Sequence, residues 1–183
     1  MKKLQIYGAA LLFLTLNALL LSCASIPKQA MPVETFEVEK YLGTWYEVAR
    51  LDHRFERNMD NVIAQYSERE DGDIKVVNSG YDHKKHEWRS REGNAKFRGD
   101  KNTAALKVSF FKPFYSGYNV LAIDTKYRYA LVAGGNLRYL WILSREKTVP
   151  EEIKQSYLAL AKEIGYDTSQ LIWVEQDKNS PYL

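Results

Sequence analysis

Between Trp45 and Arg145 the chain falls into about eight short runs in which apolar and polar residues alternate. No other feature of the sequence restricts its fold as strongly. Successive side chains of a strand point to opposite faces, so each run can offer one apolar side to a common core. Val62-x-Ala64-x-Tyr66 stops at Glu70-Asp71-Gly72-Asp73, Ile74-x-Val76-x-Asn78 at Gly80, and Ala95-x-Phe97 at Gly99-Asp100. Leu106-x-Val108-x-Phe110 ends at Lys112-Pro113, and three further runs follow, divided by Asp124-Thr125-Lys126 and Gly134-Gly135-Asn136. Turn residues at near-regular spacing, with no helix-length pattern between them, predict an all-β antiparallel meander rather than a parallel α/β sheet. Eight such strands suit an up-and-down barrel, which removes open sheet edges and can enclose one small ligand.

After Arg145 the period changes. Ile153, Tyr157, Leu160 and Ile164 recur at helical spacing and Gly165 ends the run, predicting one amphipathic helix packed outside the barrel. Thr148-Val149-Pro150-Glu151 reads as a capping box with Thr148 as N-cap. Leu171 to Val174 then forms a short ninth strand, and residues 177–183 are expected to be a flexible tail.

The N-terminus has the layout of a secretory signal: Lys2-Lys3, then an apolar run from Ile6 to Leu21 broken only by Thr15 and Asn17. That run is short for a membrane span, which needs about twenty predominantly apolar residues. It ends at Leu20-Leu21-Ser22-Cys23, which resembles a lipobox, and Cys23 is the only cysteine in the chain. Residues 1–22 are then a lipoprotein signal peptide, 23–35 a lipidated tether containing Pro27 and Pro32, and 36–176 the folded domain. The alternatives are a free cysteine beside a small-residue cleavage site, or an uncleaved anchor. Acylated at Cys23, the mature protein has no thiol left for a disulfide. Removing Lys2 and Lys3 takes the 26 basic residues to 24 against 23 acidic ones, so the net charge falls to +1 and excludes a nucleic-acid footprint.

The domain opens on Lys40-Tyr41-Leu42-Gly43-Thr44-Trp45-Tyr46, after one helical turn expected within Phe36 to Tyr41. Gly43 permits a bend or a close approach, and Trp45 places a large ring at the start of the first strand. The three histidines, at 53, 83 and 86, fall in no nucleophile, metal or phosphate-loop pattern, so no catalytic or metal residue and no cofactor is assigned.

Taken in order, these elements and motifs resemble the lipocalins over residues 36–176. Ile123-Asp124-x-x-Tyr127-x-Tyr129-Ala130-Leu131-Val132 is similar to the family's second signature, and Trp141-Ile142-Leu143-Ser144-Arg145 to its third. Ser109-Phe110-Phe111-x-Pro113-Phe114-Tyr115-x-x-Tyr118-Asn119-Val120 resembles the bacterial outer-membrane lipocalins and their animal relative apolipoprotein D. The resemblance implies that Arg145 and Trp45, with Gly43, close one end of the barrel. It also implies a fatty acid or lysophospholipid ligand. Ala24 after Cys23 resembles lipoproteins exported to the outer membrane, so the implied location is that membrane, facing the periplasm.

Parity gives the inward positions. With Lys107 outward, Leu106, Val108 and Phe110 face in, as do Ala95 and Phe97, and Arg145 shares its face with Trp141 and Tyr139. The candidate ligand-binding residues are Tyr66, Val76, Asn78, Phe97, Phe110, Tyr115 and Trp141, a mainly aromatic and apolar lining. Arg54 and Arg57, in the loop after the first strand, could meet a lipid head group. Tyr115 and its neighbours could as readily serve a self-contact, and hence a homodimer. Two other readings stand beside lipid binding: an enzyme on the same scaffold, and a structural envelope lipoprotein without a ligand.

Overall fold

The computed structural model describes residue 27 and residues 29–183. The signal segment and Cys23 lie outside the described residues. A single helical turn, α1 (Val38–Tyr41), leads into eight antiparallel strands: β1 (Gly43–Leu51), β2 (Met59–Glu68), β3 (Ile74–Asp82), β4 (Glu87–Phe97), β5 (Ala105–Phe111), β6 (Phe114–Ile123), β7 (Tyr129–Ala133) and β8 (Leu140–Ser144). Each strand pairs with its neighbours in sequence, and β1 pairs with both β8 and β2, which closes the sheet into a barrel. Helix α2 (Glu151–Ile164) follows, and β9 (Leu171–Trp173) pairs with the end of β1.

Two apolar layers hold the barrel. The interior layer gathers Trp45, Tyr66, Val76, Ala95, Leu106, Val120 and Val132 from around the wall, with Phe36 and Tyr41 packed beneath them. The outer layer lies between α2 and the strands β7, β8, β1 and β9, where Tyr157, Ala161 and Ile164 meet Leu131, Leu140 and Ile142. Fully burying one such large apolar side chain contributes about 1.5–3 kcal/mol. Tyr157 also donates its hydroxyl to the Tyr129 carbonyl at 2.8 Å, fixing the helix against the wall.

Four details differ from expectation. Helix α2 begins after Pro150, whose carbonyl accepts from Lys154 N–H, and no side chain caps it. Thr148 belongs instead to the preceding turn, where its carbonyl accepts from Ser144 Oγ at 2.8 Å. The helix stops as expected, with Gly165 at φ 107° and its N–H on the Lys162 carbonyl. Strand β3 runs through Gly80 rather than ending there; a Cβ at that position would stand 2.9 Å from a Val62 methyl, so glycine lets β2 pack close. The expected tether is docked from Ala30 onward: Ala30 is buried in the outer layer, and Val33 bonds through its backbone to Val120 and Ala104.

The fourth detail concerns the seam. Strands β1 and β2 pair over only Gly43–Tyr46 and Ile63–Tyr66, and then part. The chain after β9 fills the opening: Val174 N–H bonds to the Val48 carbonyl, and Asn61 N–H to that of Glu175. The Gln176 amide bridges the Glu47 and Val62 carbonyls at 2.9 and 3.0 Å. Asn61, at φ 54°, bonds through its side chain to Asp177 and to Lys178 N–H. The start of the tail expected to be loose is therefore stitched to β2.

Candidate functional site

The antiparallel order fixes two ends. Trp45, Arg145 and α1 mark the closed end, and the loops after β1, β3, β5 and β7 surround the mouth. At the closed end the Arg145 guanidinium stacks on the fully buried Trp45, 3.9 Å from its ring centroid. It also donates to five backbone carbonyls, those of Lys40, Tyr41, Leu42, Thr44 and Tyr127. Gly43 sits under this fork at φ 93°, where a Cβ would lie 3.4 Å from Arg145 Nη1. Only glycine enters that backbone region without strain. Asp124 shapes the adjacent β6–β7 turn. Burial opposes its ionisation, but the backbone N–H groups of Tyr129, Arg128 and Lys126 outweigh that and hold its carboxyl below the usual range.

Above this floor stand three phenols, buried Tyr41 and Tyr66 and half-buried Tyr118. The Tyr118 hydroxyl lies 2.6 Å from that of Tyr41 and 2.8 Å from that of Tyr66. Burial pushes all three phenols above their ordinary range, so they act as neutral hydrogen-bonding groups. Tyr66, Val76, Phe97, Phe110 and Trp141 all belong to the interior layer. Asn78 is half-buried, with a buried Oδ1 that accepts no hydrogen bond among the described residues. The Phe110 ring lies over Gly93, where a Cβ would come within 2.7 Å of the ring and 2.9 Å of the Ser109 carbonyl. Gly93→Ala is therefore expected to cost about 1–3 kcal/mol of stability, measured by urea unfolding, because backbone as well as ring must yield.

Tyr115 is the exception. Lys107 pairs with Gly117 and Val108 with Ser116, which turns Ser116 and Tyr118 inward. Tyr115 stands on the outer face, with the Lys107 ammonium 5.1 Å from its ring centroid. Alternation along β6 from inward Tyr118 gives the same outward face.

Near the mouth the interior becomes charged. A bulge at Val48 turns both Glu47 and Arg50 inward, although they lie three residues apart on one strand. Arg50 is 2 % exposed; its Nη1 donates to Glu47 Oε1 at 2.9 Å, and its Nη2 to the carbonyls of Glu56 and Met59 at 3.0 and 2.9 Å. Its Nε is buried without an acceptor. Glu56 descends from the β1–β2 loop and accepts from Trp141 Nε1 at 3.1 Å. His53, 7 % exposed, lies 3.0 Å from Glu56 Oε2 but off the line of a hydrogen bond, so both ring nitrogens remain unsatisfied. Its ring packs against Tyr139 and Trp141.

The two carboxyls diverge. Burial, reinforced by the negative Glu56 nearby, pushes Glu47 well above the usual carboxylate range despite Arg50. Burial acts on Glu56 as well, but the His53 ring, the Trp141 N–H and Arg50 prevail and hold it below that range. Arg54 and Arg57, the expected head-group contacts, turn away: Arg54 covers the exposed Phe55 ring and Arg57 pairs with Asp52 at 2.9 Å. His83 lies 2.7 Å from Asp60 on the outside. A hollow of about 150 Å³ opens at the closed end, among Phe36, Val38, Leu42, Ile74, Phe97 and Lys101, and shares no lining residue with the charged cluster.

The family model described as a Lipocalin-like domain matches residues 36–176. The chain is a lipocalin. It is 54% identical over 160 residues to Outer membrane lipoprotein Blc of Citrobacter freundii, covering 86% of this chain and 90% of that protein. Blc of Escherichia coli K12 is 49% identical over 178 residues, covering 96% of this lipocalin and 98% of the relative. Among solved structures, insecticyanin from the tobacco hornworm superposes with a TM-score of 0.66 at 20% identity, over 87% of this chain and 89% of that one. At that identity the match speaks for the fold alone.

Proposed function

We propose that this lipocalin is an outer-membrane lipoprotein, anchored through acylated Cys23 and facing the periplasm, that holds a fatty acid or lysophospholipid inside its barrel. The anchor and location follow the Blc relatives, which are named as outer membrane lipoproteins, together with the lipobox-like Leu20-Leu21-Ser22-Cys23. The reading rests on one observation, the two-sided interior. Strands β3 to β6 contribute Val76, Ala95, Leu106, Val108 and Val120, whereas β1 and the mouth loop contribute Glu47, Arg50, His53 and Glu56. A single-chain amphiphile has the same division. Its tail gains about 0.8 kcal/mol for each methylene buried, before the cost of ordering it.

The test is native mass spectrometry of delipidated protein with a sixteen-carbon lysophospholipid. One equivalent should be retained. Ala95→Trp, which fills the interior beside Val108, should weaken retention at least 100-fold while the far-ultraviolet circular dichroism stays that of a β-barrel. Failure of the parent protein to retain any lipid would leave a structural envelope role in its place.

A further inference from the structure

The charged cluster near the mouth is built like an occupied anion site. Trp141 Nε1 donates to a carboxylate oxygen of the protein's own Glu56, and the buried Arg50 guanidinium bonds to the backbone carbonyl of the same residue. Yet the seat is incompletely filled: among the described residues Arg50 Nε and His53 Nδ1 find no partner, and His53 Nε2 meets Glu56 Oε2 at 3.0 Å without the alignment of a hydrogen bond. Buried polar groups of this kind normally find a partner. Glu56 is also the member able to leave, because it sits on the loop between β1 and β2, while Arg50 and Trp141 stand on facing positions of β1 and β8.

Resting on the lipid-binding reading above, we infer that Glu56 occupies the head-group seat of the ligand, and that an anionic head, a carboxylate or a phosphate monoester, takes its place on Trp141, His53 and Arg50. Charge balance sets the preference. Arg50 pairs directly with Glu47 and attracts Glu56, so the buried guanidinium has two carboxyls near it, of which burial pushes Glu47 towards its neutral form. An incoming anion that displaces Glu56 restores that balance and can supply an acceptor to Arg50 Nε. A neutral head that displaces Glu56 leaves Arg50 with Glu47 alone, a carboxyl whose ionisation burial opposes, which is unfavourable. Glu56 is thus an internal competitor, and the loop over residues 52–58 is the element it releases when it swings out.

The experiment uses three ligands of one chain length: palmitate, palmitoyl lysophosphatidic acid and the uncharged monopalmitoylglycerol. Each is titrated by Trp fluorescence into delipidated parent protein and into Glu56→Gln. In the parent, both anions should bind at least tenfold more tightly than monopalmitoylglycerol. In Glu56→Gln both anions should gain about tenfold and the neutral lipid should be unchanged. A second measurement follows the Trp141 indole N–H resonance, assigned from Trp141→Phe; it should shift with either anion and stay in place with monopalmitoylglycerol. Equal binding of all three lipids, or weaker anion binding in Glu56→Gln, would overturn the head-group seat and leave lipid carriage standing. If none of the three binds, lipid carriage fails and the seat fails with it.

Discussion

Arg145→Ala is expected to lower the unfolding free energy by about 3–4 kcal/mol, read as a shift of the urea midpoint at constant slope. The side chain stacks on Trp45 and donates to five backbone carbonyls that converge from α1, β1 and the β6–β7 turn. Hydrogen bonds from a charged donor contribute about 1.5–3 kcal/mol each when isolated, and removing the donor strands its acceptors; here they overlap on one group and do not add in full. Lysine should recover less than half of the loss, because a single ammonium cannot serve the carbonyls as a planar fork or stack on the indole. A double-mutant cycle with Trp45→Leu should return about 1–2 kcal/mol of coupling for the stack alone. Ligand preference should be unchanged, since the floor and the charged cluster stand at opposite ends. An Arg145→Ala protein as stable as the parent would show that the clamp is ornamental.

The second large effect is at Arg50, and it depends on pH. Arg50→Met removes the cation bonded to Glu47 and two bonds that hold the start of β2 and the mouth loop. Glu47 already ionises at a higher pH in the folded barrel than in the unfolded chain, because of burial first and Glu56 second. A carboxyl raised in this way favours the folded state fully below its unfolded pKa. That contribution is lost as pH rises towards the folded value. Arg50 acts against the rise, so its removal raises Glu47 further and extends the window of loss upward. Arg50→Met should therefore cost about 1–2 kcal/mol at pH 4, from lost hydrogen bonds, and about 3–5 kcal/mol at pH 8, where a buried carboxylate has lost its partner. The double variant Glu47→Gln/Arg50→Met should flatten that dependence. A cost for Arg50→Met that is equal at both pH values would refute the account.

What the sequence made legible was whatever repeats with period two or 3.6. Parity placed Tyr66, Val76, Phe97, Phe110 and Trp141, because their strands keep register where those residues lie. It failed at Tyr115, which lies three residues from inward Tyr118 on β6 and so stands on the opposite face. It missed the pairing of Glu47 with Arg50 because of a bulge that no residue type announces, since a count of two puts residues three apart on opposite faces until Val48 is squeezed out of register. In the mouth loop the arginines drew attention by their charge, yet Arg57 finds Asp52 in solvent and His53 and Glu56 turn inward. Which half of a polar loop folds in is decided by what lies beneath it, here Trp141 and Arg50. The clamp at Arg145 was legible only through family resemblance, because nothing local indicates that an arginine after the last barrel strand meets a tryptophan on the first.

The stitched seam makes the C-terminal segment a working part of the wall. Strands β1 and β2 close the sheet directly over four residue pairs, and Val174 to Lys178 complete the rest. Deleting the last ten residues therefore strips partners from the Val48, Glu47 and Val62 carbonyls and from Asn61 N–H. A tag or truncation at this terminus is a change to the barrel, not to an appendage.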